Sequence, residues 1–253
     1  MRLAIIGVFA WAHAGVALAA EPTTQSVTVG VQHNMAATLY TPDGPGPFPT
    51  ILLMHTSQGL TETDRSFCFN LARQGYICIV PAFLAAHGNL TGEFRHLAFS
   101  KEAVPIFDDF VEIIGELNRL PKAKQGAVGA IGFSNGGYFA LWLAGRNKVK
   151  AAVSYYGALN GGNTDRNLHR MQSNFTAQSA PVLVLAGQND TTIGMEPVQH
   201  LEQILNSCGA PHELKVYPDA EHAFDRSNSR PGNRAAEQDA RQRTLGFFKR
   251  ELQ

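Results

Sequence analysis

Residues 126–137 read Gly126-Ala127-Val128-Gly129-Ala130-Ile131-Gly132-Phe133-Ser134-Asn135-Gly136-Gly137. An apolar run of strand length enters the pattern G-x-S-x-G, and Tyr138, Leu141, Trp142 and Ala144 then recur at helical spacing. We therefore expect strand 126–132, a sharp turn centred on Ser134, and helix 135–146. Such a turn brings the residues two before and two after its centre close together, which requires glycine at 132 and 136. It holds the central side chain exposed in a strained backbone, at a helix N-terminus that favours developing negative charge. A glycine-rich phosphate-binding turn also joins strand to helix. That alternative lacks support here, because neither G-x-G-x-x-G nor G-K-[ST] is present.

Working outward, strand and helix patterns alternate from residue 49 to the C-terminus. Thr50–His55, Tyr76–Val80, 149–156, 181–187 and 213–217 read as strands. Thr61–Gln74, 102–119, 195–207 and 234–252 read as helices, with Gly75 stopping the first. In the second, Val104, Phe107, Val111, Ile114 and Leu117 form the expected apolar face. Repeated strand–helix alternation implies right-handed crossovers, hence a mainly parallel sheet with helices on both faces. Gln25–Gly30 and Met35–Tyr40 read as an antiparallel pair at the sheet edge. Segments 82–100 and 158–178 carry no regular pattern, and long loops of this kind tend to line a site.

The chain order Ser, acid, His is the one this turn demands. Asp190 follows strand 181–187 in the loop Gln188-Asn189-Asp190, and His222 lies in the loop after strand 213–217. Carboxyl ends of parallel strands are where such a sheet gathers its chemistry. A serine hydroxyl becomes a useful nucleophile only when a base removes its proton. His222 fits the base, and Asp190 fits the acid that orients it. Asp219, Glu221 and Asp225 compete as acids but share the His222 loop. His33, His87, His96, His169, His200 and His212 read as incidental. Two N–H donors for an oxyanion are expected from Asn135 and from Ser57, in the loop after strand 50–55.

These stretches together resemble the dienelactone hydrolase family of the α/β-hydrolase fold. The likeness rests on Pro49–Leu60, the Ser134 turn, Tyr155-Tyr156-Gly157, Ala180–Asp190, Val216–Phe224 and Asp239–Phe248. Dienelactone hydrolases proper use a cysteine where this chain has Ser134. They also carry a glutamate where it has Thr56. With both changed together, the resemblance implies a Ser134-Asp190-His222 triad hydrolysing a small-molecule carboxylic ester through an acyl-enzyme. It also gives Arg226, four residues after His222, the offset of the family's substrate-carboxylate arginine. Arg95 lies in the general loop of a second one. The competing reading of Arg226 is a surface arginine neutralising Asp225 or Asp219. Two other functions are weighed: a peptidase of the prolyl-oligopeptidase type, and a non-catalytic binding protein on a hydrolase scaffold.

Bulk properties narrow the partners. Lys and Arg number 21 against 21 Asp and Glu, so no basic field points to nucleic acid. Without H-E-x-x-H or clustered His/Asp ligands along the sequence, no metal or other cofactor is expected. Arg2, the apolar run Leu3–Ala12 and Ala17-Leu18-Ala19 read as a signal peptide over residues 1–20. The expected mature chain, 21–253, is then one periplasmic or secreted catalytic domain with no membrane span. Cys68, Cys78 and Cys208 lack metal spacing. Cys68 and Cys78 either pair as a disulfide or are small core residues, and the sequence leaves both open.

Overall fold

The computed structural model describes residues 21–160, 166–226 and 230–253. Residues 1–20, expected from the sequence to be a signal peptide, lie outside the described residues. Eight strands form one sheet: β1 Thr23–Val29, β2 Met35–Thr41, β3 Phe48–Met54, β4 Ile77–Pro81, β5 Ala123–Phe133, β6 Ala151–Tyr155, β7 Val182–Gly187 and β8 His212–Tyr217. Helices are α1 Glu62–Arg73, α2 Phe83–Ala86, α3 Ala103–Leu117, α4 Asn135–Gly145, α5 Arg166–Asn174, α6 Met195–Cys208 and α7 Pro231–Leu252. The strand order is β1-β2-β4-β3-β5-β6-β7-β8. β1–β2 and β2–β4 pair antiparallel, and β3 through β8 together with β4 run parallel.

Period-two alternation divides the core. Leu52 and Met54 face α2, α3, α4, α5 and α6, while Ile51 and Leu53 face α1 and α7. Because both faces are covered, the central strands are apolar at nearly every position, and β4, β6 and β7 are buried throughout. α4 is buried along its whole length, so it reads as a continuous apolar run rather than an amphipathic one.

Three expectations need adjustment. Segments 82–100 and 158–178 are not featureless: they hold α2, a 3-10 helix over Gly92–Phe99, and α5. Val104 is 51% exposed, because the buried stripe of α3 runs through Ala103, Ile106, Phe107, Phe110, Ile113, Ile114 and Leu117 instead. One position is ~100° of helix rotation, enough to move Val104 out of that stripe. The cysteine alternatives resolve to a disulfide, Cys68 on α1 to Cys78 on β4, and Cys208 is free. Both halves are fully buried, so the bridge is also part of the core. Closing a loop of this size contributes about 3 kcal/mol in the chain-entropy account.

Candidate active site

The turn from β5 into α4 takes the geometry its glycines allow. Ser134 sits at φ 52°, ψ −109°, a left-handed conformation that costs a non-glycine residue about 1–3 kcal/mol. Surrounding contacts impose it. Ser134 N–H donates to Tyr155 O (3.0 Å), Gly136 N–H to His55 O (3.2 Å), and Ala158 N–H to Ser134 O (2.9 Å). A Cβ on Gly132 would stand 2.0 Å from Gly136 O, and one on Gly136 would stand 2.1 Å from Met54 O. Neither backbone can retreat, so both glycines are required.

Ser134, Asp190 and His222 follow β5, β7 and β8, all at the same end of the sheet. His222 Nε2 lies 3.2 Å from Ser134 Oγ, and Nδ1 lies 2.8 Å from Asp190 Oδ2. The other Asp190 oxygen, Oδ1, accepts the N–H groups of Thr192 (2.8 Å) and Ile193 (2.9 Å). That carboxylate is fixed on both sides, with one oxygen left for imidazole. Asp219, Glu221 and Asp225 are not the partners of His222. Glu221 bonds Arg230, and Asp225 accepts the Tyr156 hydroxyl.

Ser134 and His222 open into a cavity of about 510 Å³, which Ser57 and Asn135 also line. Among the described residues neither the Ser57 nor the Asn135 backbone N–H is taken by a main-chain acceptor. The opposite wall is the 3-10 helix, through Gly92, Glu93, Arg95, His96 and Phe99, with Ala158, Asn160, Thr192 and Ile193 alongside. His96 was read as incidental, yet it borders the cavity. Side chains three apart eclipse in a 3-10 helix, so Glu93, His96 and Phe99 share one edge and Gly92 and Arg95 the next. The expectation that the long segments 82–100 and 158–178 line a site is met by these residues.

Arg226 is not among the cavity-lining residues. Its guanidinium is only 14% exposed and ion-pairs Asp64 of α1 at 2.6 Å and Asp225 at 3.7 Å. Nε donates to the Tyr156 hydroxyl (3.3 Å) and Nη1 to Thr61 Oγ1 (3.3 Å). Burial alone would lower its pKa, but Tyr156, Asp225 and Asp64 hold it above the ordinary arginine value. Burial raises the Asp225 pKa, with Arg226 and the Tyr156 hydroxyl opposing. The Tyr156 ring meets His222 edge-on at 4.9 Å between centroids. The arginine thus anchors the His222 loop to α1 and to Tyr156, the residue that follows β6. It is neither a surface arginine nor, in this arrangement, a wall of the cavity.

His55 is fully buried and stacked on Phe83 at 4.2 Å. Burial lowers its pKa to about 4, against a weaker upward pull from the Thr56 carbonyl. A depressed imidazole pKa favours folding above the unfolded-state value of ~6.5. That contribution is lost as pH falls through about 4, an effect on the order of 3 kcal/mol. Urea unfolding at pH steps from 4 to 7 should show a shallower stability-versus-pH slope for His55→Gln than for the parent. Equal slopes would assign the acid sensitivity to other groups.

The expectation that no His/Asp ligands cluster is corrected by the fold. His33, His87 and Asp109, from three separate segments, bring potential ligand atoms within 4.8 Å of one another. No local spacing could have revealed them.

A nucleophile turn on a mainly parallel sheet, with a histidine bridging serine and aspartate at the strands' carboxyl ends, defines the α/β-hydrolase class. Within that class a family model for the dienelactone hydrolase family matches residues 35–252, and the chain belongs to this family. A provisionally named carboxymethylenebutenolidase of Escherichia coli (strain K12) is 30% identical over 212 residues, covering 81% of this chain and 78% of that one. A solved structure provisionally assigned as a dienelactone hydrolase from Klebsiella pneumoniae subsp. pneumoniae superposes with a TM-score of 0.73 at 26% identity, covering 90% of this chain and 98% of the other. Pyrococcus horikoshii acylaminoacyl peptidase gives 0.71 at 17% identity, covering 91% of this chain and 41% of that one, a likeness of fold alone. The protein is a dienelactone hydrolase-like hydrolase.

Proposed function

We propose that this hydrolase is an exported serine esterase that cleaves carboxylic esters through an acyl-enzyme on Ser134. The observation that carries the reading is His222 standing between Ser134 Oγ and Asp190 Oδ2. In the forward step the Ser134 oxygen attacks the ester carbonyl while His222 Nε2 takes its proton. Asp190 stabilises the resulting imidazolium, and the Ser57 and Asn135 N–H groups receive the oxyanion. His222 then returns the proton to the departing alcohol. Water, activated by the same imidazole, releases the acid and restores Ser134.

The Thr56 and Ser134 pair favours hydroxyl chemistry over the family's thiolate chemistry, since no carboxylate follows His55 to control a thiol. Arg95 on the cavity wall, rather than the anchored Arg226, is the cation placed to meet an anionic substrate. An arginine–carboxylate contact is worth about 1.5–3 kcal/mol. Arg95→Ala should therefore raise KM for a carboxylate-bearing p-nitrophenyl ester by ~10–100-fold and leave a neutral ester of equal size nearly unchanged. Equal losses on both would remove the anionic preference from the proposal. A peptide p-nitroanilide in the same assay tests the peptidase alternative. Faster turnover of the anilide than of every ester would overturn the esterase assignment.

Export rests on the Arg2-to-Ala19 pattern, and the Cys68–Cys78 bridge suits an oxidising compartment. Intact-mass measurement of protein from the cell envelope or medium should give a chain starting at Ala20 or Glu21 with the bridge closed. Recovery of a chain that retains Met1 would count against it.

A further inference from the structure

We propose that His33, His87 and Asp109 form a binding site for a single Zn²⁺ ion, a structural staple separate from the ester-cleaving cavity. Asp109 lies in the middle of α3 with a side chain only 1% exposed, His87 follows α2 and is fully buried, and His33 sits in the β1–β2 turn. His87 Nε2 is 2.7 Å and His33 Nδ1 is 2.8 Å from one oxygen, Asp109 Oδ2. The two rings face each other at 4.2 Å. His33 Nδ1 stands at ion-pair distance from that oxygen without hydrogen-bond geometry to it.

The other nitrogen of His87 also faces a carboxylate. Nδ1 lies 3.4 Å from Glu102 Oε2, and in the tautomer that donates to Glu102 the Nε2 lone pair is available to a metal ion. The 2.7 Å approach of Nε2 to Asp109 suits either an Nε2–H hydrogen bond or, after a small separation, a shared metal ion. Imidazole with a carboxylate on its far nitrogen is the arrangement that metal-ligating histidines adopt. A metal ion would engage His33, His87 and Asp109 together, whereas the hydrogen bond between His87 and Asp109 leaves His33 Nδ1 outside hydrogen-bond geometry.

Two imidazoles and one carboxylate match Zn²⁺, whereas Ca²⁺ and Mg²⁺ select all-oxygen shells. An ion ~2.1 Å from each atom in tetrahedral geometry spaces the ligands ~3.4 Å apart, so the carboxylate must withdraw from both rings and the ring nitrogens, now within 4.8 Å, must settle at that spacing. The His33 side chain is 33% exposed, which leaves solvent access and room for water as the fourth ligand. The site would tie the edge hairpin to α2 and α3. Val31 N–H already donates to Glu112 of α3 at 2.9 Å, so the turn is held where His33 can reach. None of the three ligands lines the Ser134 cavity, so the site can fail while the esterase proposal stands.

The test is titration of the EDTA-treated, purified protein with Zn²⁺ by calorimetry, alongside thermal unfolding with and without the ion. The parent should bind one equivalent and gain thermal stability. His33→Ala changes a partly exposed turn residue, so it should stay folded by circular dichroism and lose affinity by at least the ~100-fold that outer-shell losses can reach. Glu102→Gln should weaken binding by ~10–100-fold. Ester turnover of His33→Ala should match the parent. Failure of the parent to take up zinc, or equal uptake by His33→Ala, would overturn the site and leave a proton between His87 and Asp109.

Discussion

Ser134→Ala is expected to lower ester kcat by about 10⁴–10⁶-fold, the range seen when one member of a catalytic triad is removed, while the protein stays folded. The loss is large because, among the described residues, the hydroxyl that His222 Nε2 meets is that of Ser134. His222 Nε2 bonds Ser134 Oγ, and both Asp190 oxygens are already committed. What remains, the oxyanion donors and the cavity, accounts for only ~10³–10⁴ over water. Folding should survive because Ser134 contributes its backbone rather than its hydroxyl to the turn. The bonds to Tyr155, Gly136's anchor at His55, and Ala158 all run through main-chain atoms. Alanine inherits the same φ of 52°, so the strain is kept and not added. Fluorophosphonate labelling should disappear with turnover. Parent-like esterase activity in this variant would falsify the proposed nucleophile.

The sequence carried this part of the molecule well because each residue is governed by neighbours. Gly132 and Gly136 mark the turn since any Cβ there meets backbone a few residues away or on the adjacent strand. Asp190 and His222 were legible as loop positions after strands, which the apolar pattern locates. The cavity wall was legible only as a region: segments 82–100 and 158–178 were expected to line a site, and Gly92, Glu93, Arg95, His96, Phe99, Ala158 and Asn160 do. Which side chains of the first segment face the cavity was not legible. Those side chains lie on a 3-10 helix, whose period of three is masked by the 3.6 and 2 periods sought in helices and strands. The Cys68–Cys78 bridge depends on packing α1 against β4, and burial is as consistent with two core thiols as with one disulfide. His33, His87 and Asp109 lie on three segments spanning 77 positions, so no window along the chain contains their geometry. Arg226 shows the same limit. Its offset from His222 suggested a substrate ligand, but its partner Asp64 is 162 positions away.

That partner changes what an Arg226 substitution should do. Asp64 is fully buried, and its Oδ2 is already used by the Thr61 N–H (2.9 Å) and hydroxyl (2.6 Å) that cap α1. Its Oδ1 faces Arg226. Asp225 is buried as well, with Tyr156 as its other partner. Arg226→Ala therefore strands two carboxylates in the interior next to each other. Removing one member of a buried ion pair costs about 3–5 kcal/mol, chiefly through the uncompensated charge it leaves. At ~2–4 °C per kcal/mol for a chain of this size, the melting temperature should fall by roughly 6–20 °C. Arg226→Lys should recover only part of that, since a single ammonium cannot reach Asp64, Thr61 and Tyr156 together. Turnover should fall to a similar degree on charged and neutral esters, because the loop that carries His222 loosens for both. A variant that melts within a degree or two of the parent, and loses affinity only for the carboxylate-bearing ester, would return Arg226 to the role its sequence offset first suggested.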